Sequence, residues 1–206
     1  MTDPWDERYA SDEYVYGTEP NDLLRQYVTA IQPAGRVLCV ADGEGRNGVF
    51  LAQQGMHVVS LDRSVVGLRK AEALAAQRGV GITTVAADLA DADLGHASWD
   101  AIVSIFCHLP PDVRRRLHQR VVDALKPGGV LILEAYTPAQ IALRTGGPSI
   151  PELMVTADML RMELQGLDLK LCHEVTRDIH EGRLHHGTSA VVQCIAKKPE
   201  ATSITS

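Results

Sequence analysis

The chain has 206 residues, 45% of them hydrophobic and 22% charged, which is enough apolar material for one globular domain with a full core. Its net charge of -6 gives no general attraction to phosphate backbones and argues against a nucleic-acid partner. Residues 1–7 are acidic rather than basic, and no apolar run reaches membrane-spanning length. We therefore predict a cytoplasmic protein without a membrane partner, either a monomer or a small homo-oligomer.

Strand and helix patterns alternate from residue 20 to about residue 136, which predicts crossover units and a parallel sheet. The apolar runs predict five strands, at residues 36–41, 57–61, 82–87, 100–105 and 130–136. An opening helix is predicted at 21–31. Further helices are predicted at 45–54, from Ser64 to Gly79, and from Pro111 to Leu125.

The later part of the chain has a different pattern. Residues 89–98 have weak helical periodicity, and the Lys-Pro-Gly-Gly segment at 126–129 predicts a sharp turn into the fifth strand. The Pro- and Gly-rich stretch from Thr137 to Pro151 has no regular pattern. A helix at 157–165 and two alternating runs follow it. The runs, 167–179 and 184–195, are joined by Glu181-Gly182 and predict an antiparallel hairpin.

These elements predict an α/β fold with a doubly wound, mostly parallel sheet and a C-terminal antiparallel hairpin. We expect residues 1–198 to form a single domain, with residues 1–20 as an N-terminal arm and residues 199–206 as a disordered tail.

Two groups of residues could suggest a binding chemistry but are predicted to be structural. The four cysteines lie far apart without a C-x-x-C pair, so we predict neither a metal site nor a disulfide framework. The run Arg114-Arg115-Arg116 lies among apolar residues at helical spacing, and we interpret it as a solvated helix face.

A glycine-rich turn, Gly43-Glu44-Gly45-Arg46-Asn47-Gly48, follows the first apolar run, and Asp62 ends the second. The glycines allow a tight turn and close approach to a ligand, and the next helix offers free N–H groups. An acid at the tip of the following strand can accept both ribose hydroxyls. The pattern predicts an adenosine-binding crevice, which either a dinucleotide or S-adenosylmethionine could occupy.

Charge favours the second ligand. Asp42 and Glu44 would face the pyrophosphate of a dinucleotide at close range, with only Arg46 to offset them, whereas a sulfonium cation suits this turn. The closing hairpin also departs from nicotinamide-binding folds, which usually continue the crossover pattern. Solvated loop acids without a ligand role remain the alternative for Asp42 and Glu44.

Several motifs together resemble the class I S-adenosylmethionine-dependent methyltransferases over nearly the whole chain. They are the G-x-G turn, the acids Asp62 and Asp88 after strands two and three, the Leu-Lys-Pro-Gly-Gly segment, and the closing hairpin. Residues 5–9, 16–21 and 41–47 are similar to the small bacterial tellurite-resistance and thiopurine methyltransferases. The resemblance implies a seven-stranded Rossmann-like sheet whose last strand is antiparallel.

The resemblance also implies positions for the cofactor. Gly43 and Gly45 would approach its methionine part, and Asp62 would hold the ribose hydroxyls. Asp88 and the backbone of Leu89 would meet the adenine amino edge. The remaining residues assigned to the cofactor are Asn47, Arg63 and Ile105, the last of these over the adenine ring.

The chain departs from the family at the start of its first motif. Cys39 and Ala41 stand where an acid and then a glycine are usual, so Asp42 is expected to take over part of the recognition of the cofactor's amino group.

Five of the nine aromatic residues fall within residues 1–27, which predicts a lid over the cofactor. We assign Tyr9 and Tyr16 to the cofactor, where rings beside a sulfonium could add about 0.5–2 kcal/mol of attraction, and Trp5 to the acceptor. The alternative is that the arm only packs on the sheet edge, and for Tyr27 the helical spacing favours this alternative.

Four further residues are assigned to the reaction. His108 follows the fourth strand on the ligand side and is predicted to accept a proton or orient the acceptor, with a capping or solvent-facing role as the alternative. Phe106, Arg144 and His180 are predicted to contact the acceptor.

The predicted activity is methyl transfer from S-adenosylmethionine to a small molecule, such as a thiol or a metalloid oxyanion, leaving S-adenosylhomocysteine as the product. An NAD(P)-binding oxidoreductase is one alternative. A non-catalytic S-adenosylmethionine-binding module is another, because the altered first motif could have impaired turnover.

Overall fold

A computed structural model describes residues 3–200 and contains one seven-stranded sheet with helices on both faces. The strands are β1 (Arg36–Val40), β2 (His57–Asp62), β3 (Thr83–Ala86), β4 (Trp99–Ile105), β5 (Leu125–Tyr136), β6 (Asp168–Glu181) and β7 (His185–Lys197). Their order in the sheet is β3-β2-β1-β4-β5-β7-β6. Strands β1 to β5 are parallel, and β7 is antiparallel to both of its neighbours. The predicted fold class is confirmed.

Seven α-helices connect or flank these strands. They are α1 (Pro4–Tyr9), α2 (Asp22–Tyr27), α3 (Arg46–Gln53), α4 (Val65–Gln77), α5 (Pro111–Ala124), α6 (Gln140–Leu143) and α7 (Ala157–Glu163). Short 3₁₀ turns lie at Val28–Ala30 and Pro151–Leu153. None of these helices is both long and apolar enough to cross a membrane.

Strand β1 shows how the sequence specifies a sheet that is covered on both faces. Val37 and Cys39 pack into one apolar cluster, and Leu38 and Val40 pack into the other. Side chains alternate between faces along a strand, so an uninterrupted apolar run requires helices on both sides. Ser64 begins one of these helices, α4, because its hydroxyl oxygen accepts from the Gly67 N–H at 3.0 Å.

Strand β5 begins five residues earlier than predicted. Leu125 already pairs with Trp99 of β4, and the register shifts before Val130 pairs with Ala101. The predicted sharp turn at residues 126–129 is therefore wrong, because these residues form an irregular extended part of the strand.

The prediction of a solvated Arg114 is also wrong. Its side chain is buried and donates to Glu163 and to the Met154 carbonyl oxygen, at 2.9 Å and 3.1 Å. His118 Nδ1 lies 2.7 Å from the same Glu163 carboxylate. Arg114 therefore joins α5 to α7, whereas Arg116 is exposed as expected.

Residues 89–98 form no helix, which agrees with their weak periodicity. Arg120 on α5 holds this connection by donating to the carbonyl oxygens of Leu89 and Ala92. Residues 201–206, most of the predicted disordered tail, lie outside the described residues.

Candidate active site

The carboxyl ends of β1, β2, β3 and β4 surround a cavity of about 680 Å³. Strand order reverses between β1 and β4, and open α/β sheets bind ligands at such a switch point. The N-terminal arm, the loop at residues 146–153 and the start of β7 complete its walls. The cavity thus draws residues from both ends of the sequence.

The two motif glycines have different surroundings. Gly43 has φ +56°, and a Cβ at this position would lie 2.6 Å from the Tyr9 hydroxyl oxygen. Gly45 has φ +84° and precedes α3, and a Cβ there would overlap the Cβ of Ala71 on α4. Neither glycine lines the cavity with its own atoms. Gly45 permits close helix packing, which differs from its predicted approach to the methionine part of a cofactor.

Asp62 is buried rather than exposed at the strand tip. Its carboxylate accepts from the N–H groups of Gly43 and Ser64, at 2.9 Å and 2.8 Å, and so connects the glycine turn to the start of α4. Burial raises the pKa of Asp62, and the backbone donors only partly offset this effect. Asp62 still lines the cavity at the position predicted for a ribose partner.

Asp42 also lines the cavity, but both of its oxygens have partners in the protein. Ser60 Oγ donates to Oδ2 at 2.6 Å, and the Gly48 N–H donates to Oδ1 at 3.3 Å. Burial raises the pKa of Asp42 to about 6, against hydrogen bonds that lower it. The amino group of the cofactor, which Asp42 was expected to recognise, would have to share this carboxylate with Ser60 and Gly48.

Glu44 does not stand free at the glycine turn. Its Oε2 accepts from the Val15 N–H at 2.8 Å, and Lys70 Nζ lies 2.5 Å from Oε1. The charge argument against a pyrophosphate therefore rests on Asp42 and Asp62, because Glu44 is already neutralised by Lys70.

The remaining predicted cofactor residues lie along the same cavity wall. Arg63 donates to Asp3 at 2.6 Å and lies 3.9 Å from the Asp88 carboxylate, which is half exposed. Asn47 Oδ1 accepts from the Asn21 N–H at 3.0 Å. Leu89 and Ile105 are buried apolar members of the wall.

The N-terminal arm is packed against α4. Asp6 accepts from Ser64 Oγ at 2.6 Å, and Lys70 donates to the carbonyl oxygens of Ser11 and Glu13 at 2.8 Å and 2.7 Å. These contacts hold the arm over the cavity. Three of its aromatic residues line the cavity: Trp5, Tyr9 and Tyr16.

The other two early aromatics have structural surroundings. The Tyr14 hydroxyl donates to the Lys70 carbonyl oxygen at 3.1 Å, and Tyr27 packs against the core as its helical spacing indicated.

The position of His108 does not support the predicted catalytic role. Its Nε2 accepts from the Tyr136 N–H at 3.2 Å, so this nitrogen is not free for a ligand proton. Burial lowers the pKa of His108 to about 4, which keeps the ring neutral at ordinary pH. His108 lines the cavity but is held in place by the backbone of β5.

Phe106 follows β4 with φ +53°, a left-handed conformation that is uncommon outside glycine. Its ring packs against Tyr136 and His185, with centroids 4.7 Å and 4.6 Å away, and lines the cavity as predicted for an acceptor contact. Backbone strain of this kind often occurs at functional sites.

His185 is the residue that the sequence interpretation missed. It is 8% exposed, lines the cavity, and lies 4.4 Å from the Tyr16 ring. Its buried Nδ1 has no hydrogen-bond partner among the described residues. Burial, with a smaller effect of Arg46, lowers the pKa of His185 to about 2. The period-two pattern of β7, which puts His185 on the face of buried Ser189 and Val191, was the available signal.

Arg144 and His180 lie away from the cavity, so the structure does not support their predicted acceptor contacts. Arg144 is exposed at the end of α6. His180 is exposed on β6, where its Nδ1 lies 3.3 Å from Nδ1 of His186. Within residues 3–200, no cluster of three or more His, Cys, Asp or Glu residues could hold a metal ion.

A buried ion network beneath the cavity was also not predicted. Glu134 on β5 is fully buried and accepts from Arg177 and Asn21, at 2.5 Å and 2.8 Å. Glu181 pairs with Arg46 at 2.6 Å and with Arg177 at 3.2 Å. Arg46 follows the glycine turn, so the network connects this turn to the C-terminal hairpin.

Known proteins share both the sequence pattern and the fold. Residues 37–129 match the family described as a methyltransferase domain. Carboxy-S-adenosyl-L-methionine synthase of Aeromonas salmonicida is 33% identical over 85 residues, which are 40% of this chain and 34% of the synthase. The match thus spans about one third of the length of this curated relative.

Solved structures extend the likeness of fold to nearly the whole chain. A protein studied for the conversion of a disulfide bond into a thioacetal group during echinomycin biosynthesis superposes with a TM-score of 0.75. It is 20% identical, with 95% of this chain and 88% of that chain covered. TehB of Haemophilus influenzae has a TM-score of 0.68 at 17% identity, over 94% of this chain and 65% of that chain.

The match over residues 37–129 shows a methyltransferase domain in this segment, and the fold agrees with the predicted class, the class I S-adenosylmethionine-dependent methyltransferases. They also confirm S-adenosylmethionine as the cofactor of that class.

Proposed function

We propose that the protein transfers a methyl group from S-adenosylmethionine to a small-molecule acceptor, a thiol or a metalloid oxyanion. One observation carries this proposal: a single cavity runs from the acids at the ends of β2 and β3 to an aromatic chamber under the N-terminal arm. Such a cavity can hold a long cationic cofactor and a second small molecule end to end.

The residues present fit the cofactor. The buried apolar residues Leu89 and Ile105 in the cavity wall suit an adenine ring, and the acids on this side suit a sulfonium cation. We assign Asp62 to the ribose hydroxyls, Asp88 and Leu89 to the adenine edge, and Ile105 to the ring face. When bound, the cofactor supplies an electrophilic methyl group.

The protein's own contribution would be alignment and exclusion of water. Holding two reactants in line can supply on the order of 7–11 kcal/mol in favourable cases. Trp5, Tyr9 and Tyr16 cover the cavity and would keep the reacting groups out of bulk water. No strong base is required for an acceptor that arrives as an anion, which agrees with the neutral, backbone-bound His108.

The relatives support a sulfur-based acceptor by analogy only. The echinomycin protein is described by its conversion of a disulfide bond, and the Aeromonas synthase is named for a derivative of S-adenosylmethionine. The first description concerns chemistry at sulfur, and the second name concerns a compound of the cofactor's type.

Calorimetric titration tests the cofactor part of the proposal. We expect S-adenosylhomocysteine to bind in a saturable manner and NAD to give no saturable heat. Binding of NAD alone would favour the oxidoreductase alternative.

An activity panel tests the transfer step. Formation of S-adenosylhomocysteine is followed with thiols, selenite and tellurite as acceptors. Cofactor binding without turnover on any of these acceptors would favour the non-catalytic binding module. Turnover on amines or alcohols alone would retain methyl transfer but reject the proposed acceptor classes.

A further inference from the structure

The walls of the cavity differ in charge. Its cofactor side carries Asp42, Asp62 and Asp88. Arg8, on the N-terminal arm, also lines the cavity; its guanidinium covers the Trp5 ring at 4.8 Å and Nη1 donates to the Tyr16 hydroxyl at 3.1 Å.

Arg8 differs from the two other arginines that line the cavity. Arg46 is paired with Glu181 at 2.6 Å, and Arg63 is paired with Asp3 at 2.6 Å. Arg8 forms no ion pair with a carboxylate among the described residues; its hydrogen-bond partner is a neutral phenol. Its charge is therefore available to an anion that enters the cavity.

His185 stands beside this arginine. Its ring lies 4.4 Å from that of Tyr16, and its position is fixed by packing against aromatic rings. The side chain is more than nine-tenths buried, yet Nδ1 has no partner within residues 3–200. Because Nδ1 has almost no exposed surface, a ligand in the cavity would meet the other ring nitrogen, Nε2, of His185.

We propose that Arg8 and His185, which both contact Tyr16, form an anion-binding subsite for the methyl acceptor, which would be an organic thiol that carries a carboxylate. This inference rests on the proposed methyl transfer and specifies its acceptor. Arg8 supplies a charge-assisted hydrogen bond to the carboxylate, and the neutral His185 ring supplies an N–H donor.

The subsite would orient the nucleophile toward the cofactor. The acceptor sulfur donates an electron pair to the methyl carbon while the bond from this carbon to the sulfonium sulfur breaks. The thiol proton is lost to solvent before the transfer, and the thiolate then becomes a thioether whose sulfur carries no charge. The acceptor's carboxylate remains on Arg8 throughout, so the subsite positions the acceptor and takes no part in bond making.

The test is a binding measurement on the full chain saturated with S-adenosylhomocysteine. The probes are 3-mercaptopropionate and 1-propanethiol, which differ mainly in the carboxylate. We expect saturable binding of the first probe and at least about tenfold weaker binding of the second. Equal affinity for the two probes, or no binding of 3-mercaptopropionate, would overturn the inference.

Substitutions at Arg8 and His185 test whether 3-mercaptopropionate binds at this subsite. We expect Arg8→Met and His185→Phe each to weaken 3-mercaptopropionate binding by about tenfold or more, and His185→Asn to restore part of it. The matched controls are His186→Phe, on the exposed face of the same strand, and Arg116→Met, on the exposed face of α5. Neither control should change the affinity.

Affinity for S-adenosylhomocysteine distinguishes loss of the acceptor subsite from misfolding and from loss of the cofactor site. It should stay within about twofold of wild type in Arg8→Met and His185→Phe, which also shows that both variants fold. A variant that loses S-adenosylhomocysteine instead would place Arg8 on the cofactor's own carboxylate and overturn the inference. Failure of the wild type to bind S-adenosylhomocysteine would reject the proposed function itself.

Discussion

The two sides of the cavity are constructed differently. The cofactor side comes from consecutive strand ends, β1 to β4, and its acids hydrogen-bond to backbone N–H groups that follow β1 and β2. The covering side brings the arm at residues 4–16 against the hairpin at residues 181–185. The buried ion pairs Arg46–Glu181 and Arg177–Glu134 hold this hairpin to α3 and β5. Local sequence specifies the first side, and long-range pairing specifies the second.

This difference separates two kinds of mutational effect. Changes on the covering side should act mainly on stability, because a buried charge that loses its partner is costly. Removal of Asp62 on the cofactor side should lower ligand affinity and, because its backbone donors are also buried, should lower stability to a smaller extent. The following predictions test this division.

The largest effect is expected from Glu134→Ala. This change leaves Arg177 without its fully buried partner and should reduce the free energy of unfolding by about 3–5 kcal/mol. Urea unfolding measures the loss. The control is Asp22→Asn, which removes an exposed partner of the same arginine and should cost less than about 1 kcal/mol. Similar losses in the two variants would contradict the division.

Asp62→Ala should weaken S-adenosylhomocysteine binding by about 1.5–3 kcal/mol, the usual contribution of hydrogen bonds to a charged group. Calorimetry measures the affinity, and circular dichroism checks the fold. Because Asp62 also accepts from Gly43 and Ser64, some loss of stability will accompany the change. Unchanged affinity in a folded variant would show that the ribose lies elsewhere.

Gly45→Ala should destabilise the protein by about 1–3 kcal/mol, since it combines a left-handed backbone with overlap against Ala71. Gly55→Ala isolates the backbone contribution, because Gly55 has φ +83° and no atom within 4 Å of an added Cβ. We expect the Gly55 variant to lose less stability in thermal unfolding. Equal losses would show that helix packing at Gly45 is unimportant.

The last prediction concerns pH. Burial raises the pKa of Asp42 from 3.8 to about 6, so the folded state binds this proton more tightly than the unfolded state. The resulting stability is complete below pH 3.8 and is lost as the pH rises through 6. Asp42→Asn should remove this decline from a plot of unfolding free energy against pH. An identical slope in both proteins would contradict the assignment.

The sequence predicted the sheet, the hairpin and the cofactor side because their signals are local. Apolar periodicity located the strands, and the order of glycines and acids located the ends of β1 and β2. The irregular start of β5 was not predicted, since a Lys-Pro-Gly-Gly segment suits both a turn and an extended bulge.

Contacts between side chains that are distant in sequence could not be predicted in the same way. Arg114 looked like part of a basic surface because its partner Glu163 lies 49 residues later. His185 was assigned no role, because alternation along β7 places it with Ser189 and Val191 but only the pairing of β7 with β5 and β6 shows that this face is enclosed. His108 was predicted to act in catalysis because it follows β4. The Tyr136 N–H that donates to its Nε2 lies on another strand, β5, so this contact could not be predicted.

The fully buried carboxylate of Glu134 has a consequence for synthesis of the chain. Arg177 follows Glu134 by 43 residues, which is an interval of roughly seconds at 5–20 residues per second. During that interval β5 presents an unpaired charge at the edge where β7 will later insert. A charge at such an edge opposes pairing with other chains. We therefore expect the same residue that fixes the finished hairpin to keep the growing polypeptide from aggregating until Arg177 arrives.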